Sequence, residues 1–115
     1  MNHVPDEAVA AMESFGEAVL ADEPGSLAVD LRSDVRVRID WDEGDLVAGE
    51  ATIEFVVEHA HPADTLRGFG SFVETRVDGV ESVLADWGIE APADYERAGT
   101  EGWDATVYAG TLRLP

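Results

Sequence analysis

Apolar and polar positions alternate along the chain between Leu27 and Trp41. Leu27, Val29, Leu31, Val35, Val37, Ile39 and Trp41 are apolar, and Asp30, Arg32, Asp34, Arg36, Arg38 and Asp40 stand between them. Residues two apart on a strand share a face, so this stretch predicts a sheet with one buried and one wet face. Ser33-Asp34 interrupts the run, which leaves open two strands or one bulged strand. Asp42-Glu43-Gly44 comes next. A three-residue loop with Gly in its left-handed third position predicts a hairpin. That turn sets Trp41 opposite Asp45, Ile39 opposite Val47, Val37 opposite Gly49, Val35 opposite Ala51 and Leu31 opposite Phe55. The returning strand would span 45–58, with Ile53, Phe55 and Val57 inward.

Two stretches follow the helical rhythm instead. Over 5–21, Ala8, Val9, Met12, Phe15, Val19 and Leu20 form one apolar stripe. Asp6 and Glu7 complement the positive end of the dipole, and Pro24-Gly25 predicts the stop. Over 62–87, Leu66, Phe69, Phe72, Val73, Val77, Val80, Val83, Leu84 and Trp87 recur every three or four residues. They predict a long central helix with one buried face. Gly68 and Gly70 bracket Phe69 and disfavour a continuous rod, so the firm part is 71–87, and Gly88 suits a left-handed end. A connector at 90–93 precedes a short strand at 95–98, a turn at 99–102 and a final strand at 103–114. In that strand Val107 and Ala109 lie on one parity and Tyr108, Leu112 and Leu114 on the other, which suggests a bulge at Gly110.

The expected fold is α+β, a single domain over residues 1–115. An antiparallel sheet carries an N-terminal helix and a long central helix on one face. At this length a chain buries roughly two thirds of its unfolded surface, which suffices for one core.

Charge narrows the setting. The 115 residues hold 25 Asp and Glu against 7 Arg, with no Lys, for a formal net charge of −18. Such self-repulsion opposes compaction at low ionic strength, and about 1 M salt screens it beyond roughly 3 Å. The composition resembles that of haloarchaeal proteins or of their viruses. It argues against direct nucleic-acid binding, which draws on basic groups. Cysteine is absent, which excludes disulfides and thiolate metal sites. No apolar run approaches the ~20 residues of a membrane helix, so no membrane partner is expected. The first residues lack the basic region of a signal peptide, so synthesis and folding in the cytoplasm are expected.

Candidate chemistry is sparse. His59-Ala60-His61 would place two imidazoles on one side of a strand, near Glu58 or Asp64, but lacks a convincing third ligand. Asp40-Trp41-Asp42-Glu43-Gly44-Asp45 looks like a calcium loop, yet its Gly comes one place early and Ala51 stands where the bidentate Glu belongs. Met1-Asn2-His3 has the spacing of an amino-terminal copper or nickel chelate. No nucleophile elbow or phosphate-cradling glycine loop is present. No catalytic, cofactor-binding or metal residue is assigned, and no enzymatic activity is expected. The candidate interface comprises Arg32, Arg36 and Arg38, on the outward side of the first hairpin strand, with Trp41 and Trp103. Tryptophan and arginine are enriched in interfaces, and each tryptophan is equally a core candidate.

The order of elements carries a resemblance. An amphipathic helix, a hairpin with second strand Ala51-Thr52-Ile53-Glu54-Phe55-Val56-Val57-Glu58, a polar loop, a helix with the Val73, Val77, Val80 and Leu84 stripe and a closing hairpin follow one another. This resembles the tail-terminator and head–tail joining (neck) proteins of long-tailed viruses, small α+β proteins that form rings between tail tube and capsid connector. The likeness covers most of the chain in order and length, and carries no site motif. It implies a non-enzymatic virion assembly protein of a halophilic archaeal virus, acting as a homo-oligomeric ring with other virion proteins. Two further classes stay open. One is a small cytoplasmic haloarchaeal dimerisation or regulatory module. The other is a curved-sheet domain that binds a small ligand.

Overall fold

The structure is a computed structural model, and it describes residues 4–32, 34–58, 71–102 and 105–115. The elements are α1 (Asp6–Leu20), β1 (Gly25–Arg32), β2 (Val35–Trp41), α2 (Glu43–Ala48), β3 (Glu50–Glu58), α3 (Ser71–Asp86), β4 (Glu96–Glu101) and β5 (Ala105–Arg113). The five strands form one sheet in the order β1-β2-β3-β5-β4, antiparallel at every junction. The fold is α+β, as expected.

Buried residues of α1 and α3 join the inward residues of the strands in one core. Ala8, Met12, Phe15 and Val19 come from α1, and Val77, Val80 and Leu84 from α3. From the sheet come Leu31, Val35, Val37, Ile39, Trp41, Ala51, Ile53, Phe55, Val57, Tyr108 and Leu112. The predicted strand parity is thus the observed one. Gly16 lets α1 approach Trp87, because a Cβ there would lie 2.4 Å from the indole ring.

Both long helices end by the same device. Ile89 N–H bonds to the Leu84 carbonyl and Gly88 N–H to that of Ala85, with Gly88 at φ 76°. This pair of hydrogen bonds around a left-handed residue satisfies two carbonyls of the last turn. At the end of α1, Glu23 N–H bonds to Ala18 and Asp22 N–H to Val19, with Asp22 at φ 57°. The stop therefore precedes the expected Pro24-Gly25. A short polar side chain tolerates this conformation where most do not.

The hairpin at Asp42-Glu43-Gly44 does not form. The Asp42 carboxylate accepts from Asp45 N–H at 2.8 Å, and Asp42 N–H donates to the Asp45 carboxylate at 3.0 Å. This capping box starts α2, and Gly49 closes it at φ 75°. The six helical residues displace the register. Val35 pairs with Val57, Val37 with Phe55 and Ile39 with Ile53, not with Ala51, Gly49 and Val47. Leu31 does not face Phe55, because β1 ends at Arg32 and pairs with β2, which starts at Val35, with Leu27 opposite Ile39.

The closing hairpin also differs. Gly99, Thr100 and Glu101 lie within β4, and the irregularity falls between Arg97 and Gly99. Gly110 keeps an unbroken register opposite Ile53. Its missing side chain has another cause: a Cβ would lie 2.6 Å from Pro92 and 3.0 Å from Tyr95 in the connector packed over it. The phase change is real chemistry on two faces, since Tyr108 and Leu112 enter the main core while Ala105 and Val107 cluster with Val56 on the other side.

Candidate interaction surface

The side of the sheet away from the helices holds the described arginines of β2. Arg36 lies opposite Asp30 and Arg38 opposite Glu54. The Arg36 Nε–H donates to the Asp30 carboxylate at 3.0 Å. Arg38 reaches Glu54 at 3.2 Å and also bonds to Glu101 of β4. Its guanidinium is raised above its ordinary value, chiefly by the hydrogen bond to Glu101, with burial opposing and Glu54 adding to the rise. Arg38 thereby ties β2 to an edge strand across β3 and β5. Arg36 and Arg38 are each matched within the chain, so they brace the sheet rather than await a partner.

Trp41 is a core anchor and leaves the candidate interface. It is 6% exposed, its indole N–H donates to the Glu23 carbonyl at 2.7 Å, and its ring meets Phe15 edge-on with centroids 4.6 Å apart. Arg32 ends β1, paired with Val35. Trp103, His3, His59, His61 and Asp64 lie outside the described residues. Among the described residues no cluster of three or more His, Asp or Glu is placed to hold a metal ion. The acidic tip once comparable to a calcium loop spends Asp42 and Asp45 on capping α2.

The distribution of charge across elements was not drawn from the sequence. Strands hold five of the seven arginines (Arg32, Arg36, Arg38, Arg97, Arg113) and seven of the 25 acids, a net of −2. The rest of the chain holds eighteen acids and two arginines, a net of −16. The sheet is therefore the near-neutral part of a strongly acidic molecule. Among the described residues no further strand covers β1 or β4. All six residues of β4 are exposed, as are Ser26, Ala28 and Asp30 of β1. An uncovered edge presents unpaired N–H and C=O groups that another strand can use.

Among the described residues, two open clefts flank this sheet. One of about 390 Å³ is lined by Asp30, Arg36, Glu58 and Glu101 around Val56 and Ala105. The other, of about 750 Å³, is lined by Glu50, Glu90, Asp94, Glu96 and Arg113. Phe15, Phe55 and Tyr108 are fully buried in the core that helices and sheet share.

A polar pair, Tyr95 and Glu81, enters that layer, and the alternation carries no signal for it. The Tyr95 hydroxyl donates to the Glu81 carboxylate of α3 at 2.7 Å, and the Tyr95 ring meets Phe55 edge-on at 5.3 Å. Burial and the adjacent Glu81 push the Tyr95 hydroxyl up, so it stays a donor. Burial also raises the Glu81 carboxyl, against the Tyr95 hydrogen bond, with Asp78 adding to the rise. The folded chain therefore binds this proton more readily than the unfolded chain. The stability this group contributes is present below the ordinary carboxyl value and is lost as pH rises through the raised folded value. In urea titrations between about pH 4 and 7, a range that brackets an ordinary Glu, Glu81→Gln should gain on the parent as pH rises. A difference independent of pH would contradict this.

No protein family model, no characterised protein and no solved structure matches the chain. No described helix is long and apolar enough to cross a membrane.

Proposed function

We propose that this chain is a non-enzymatic assembly protein that builds a homo-oligomeric ring, as the tail-terminator and neck proteins of long-tailed viruses do, in the virion of a haloarchaeal virus. The observation that carries the reading is the pair of open edges, β1 and β4, on a near-neutral sheet. Copies carrying −18 each repel one another, and the repulsion is least where acids and arginines balance. Multimolar salt removes most of what remains. The order of helix, hairpin strands, helix and closing hairpin supports the viral setting. The two clefts are open, with carboxylates among small and apolar residues in their lining, which suits surface contact better than enclosure of a small ligand.

Light scattering in ~2–3 M NaCl, a range in which exposed charges are screened, should give a single species several times the 12.4 kDa chain mass. Antibody against the chain should label purified virions of a host that carries the gene. A strict monomer that is also absent from virions would overturn the proposal.

A further inference from the structure

The topology says how such copies would meet. Five strands antiparallel at every junction place β1 and β4 in the same direction at opposite edges. Two copies of one edge can pair about a two-fold axis only as antiparallel strands, whereas β4 of one copy meets β1 of the next, in the same orientation, as parallel strands. Parallel pairing inside a chain needs a crossover connection, but between chains it needs none. A repeated contact between unlike edges is the arrangement that closes rings.

Charge disfavours the pairing of β4 with itself. Pairing β4 with its own copy over its full length sets Glu96 opposite Glu101 twice. Both share a face, because Glu96 lies opposite Ala109, Glu101 opposite Ala105, and the irregularity between Arg97 and Gly99 restores the phase. Like charges directly opposite are destabilising. The rows of the sheet give the alternative. Ala28, Arg38, Glu54, Ala109 and Glu96 form one row, and Arg32, Val35, Val57, Thr106 and Thr100 another. Continuing those rows into a second copy brings Glu96 beside Ala28, Gly99 beside Asp30 and Thr100 beside Arg32. In these three rows no acid meets an acid.

We propose that β4 of one copy adds to β1 of the next as a parallel strand, so that the sheet runs on from subunit to subunit. This rests on the assembly reading above and specifies its contact.

The absence of cysteine makes the test clean. An Ala28→Cys/Glu96→Cys double variant, treated with a short bis-maleimide in ~2–3 M NaCl, where exposed charges are screened, should give a ladder of covalent multimers. Each single variant alone should give none, and the two mixed should give one linked dimer. Both positions are exposed, and circular dichroism should match the parent. A second pair, Arg32→Cys with Thr100→Cys, should behave alike. Linked dimers from a single variant would show like edges meeting and overturn the inference. Oligomers by light scattering with no ladder from either pair would overturn it and leave ring assembly standing. A monomer by light scattering would overturn both.

Discussion

A Gly16→Ala variant is expected to be less stable than the parent, although alanine is the better helix former. In an exposed helix interior the change would gain about 1 kcal/mol. Here the added Cβ would sit 2.4 Å from Cγ and Cδ2 of Trp87 and 2.9 Å from its Cβ. Those atoms belong to the stem and fused ring of a bulky side chain, with no flexible end to swing away. Relief requires α1 and the end of α3 to separate or the indole to leave its rotamer. Overpacking of this kind costs roughly 1–3 kcal/mol, which exceeds the helical gain. Urea denaturation should therefore show a net loss, and Trp fluorescence should report a changed indole environment. The decisive control is the same substitution in a Trp87→Leu background, where it should be neutral or stabilising, since contacting pairs are not additive. A gain of about 1 kcal/mol in the parent background, the full helical propensity, would show that the helices do not approach as described.

That contact marks the border of what the chain pattern reveals. Period-two alternation identified the inward set of β2 and β3 correctly, because any register that keeps odd residues opposite odd residues buries the same side chains. Val37 and Ile39 are fully buried with Phe55 and Ile53 opposite them, as they would have been buried opposite other partners. Pattern therefore fixes the face and leaves the register free. The register was decided by Asp42 and Asp45, whose spacing of three is a helix-start signal. Their reciprocal caps and the left-handed Gly49 give α2 at the cost of leaving Val47 89% exposed. The competing turn signal lay in the same residues, so local chemistry alone was ambiguous. Gly110 was likewise visible as an exception, but its reason is Pro92 and Tyr95, neighbours that only the fold supplies.

The interface candidates divide in the same way. Arg36 and Arg38 were correctly placed on the outward face, but their matching to Asp30, Glu54 and Glu101 depends on the register and on the position of β4. Trp41 ends an alternating strand, where a surface and a core role look alike in sequence. The carbonyl of Glu23 settles it, because a buried indole N–H needs an acceptor and finds one there. The open edges were not legible at all. They follow from strand order, which no periodicity encodes.

Phe15→Ala should have the largest effect of any single truncation considered. Phe15 is fully buried in the middle of α1 and its ring meets Trp41 edge-on. Truncating a buried Phe costs about 3–5 kcal/mol through lost transfer energy and the cavity left behind. Domains have only ~5–15 kcal/mol in total, so the variant should be largely unfolded or close to it. Phe15→Leu, which keeps most of the volume, should lose much less, and urea midpoints would rank the three. The Trp41 indole N–H reports the local event. Bonded to Glu23 in the parent, it should exchange rapidly with water in the alanine variant and slowly in the leucine variant. The consequence reaches the edge, because α1 packs directly on β1. Loosening α1 should therefore abolish oligomers together with stability, whereas a proline at exposed Thr100 of β4 should abolish oligomers with far less loss of fold. Equal loss of fold in the two would mean that β4 is part of the core's cooperative unit and not a free edge.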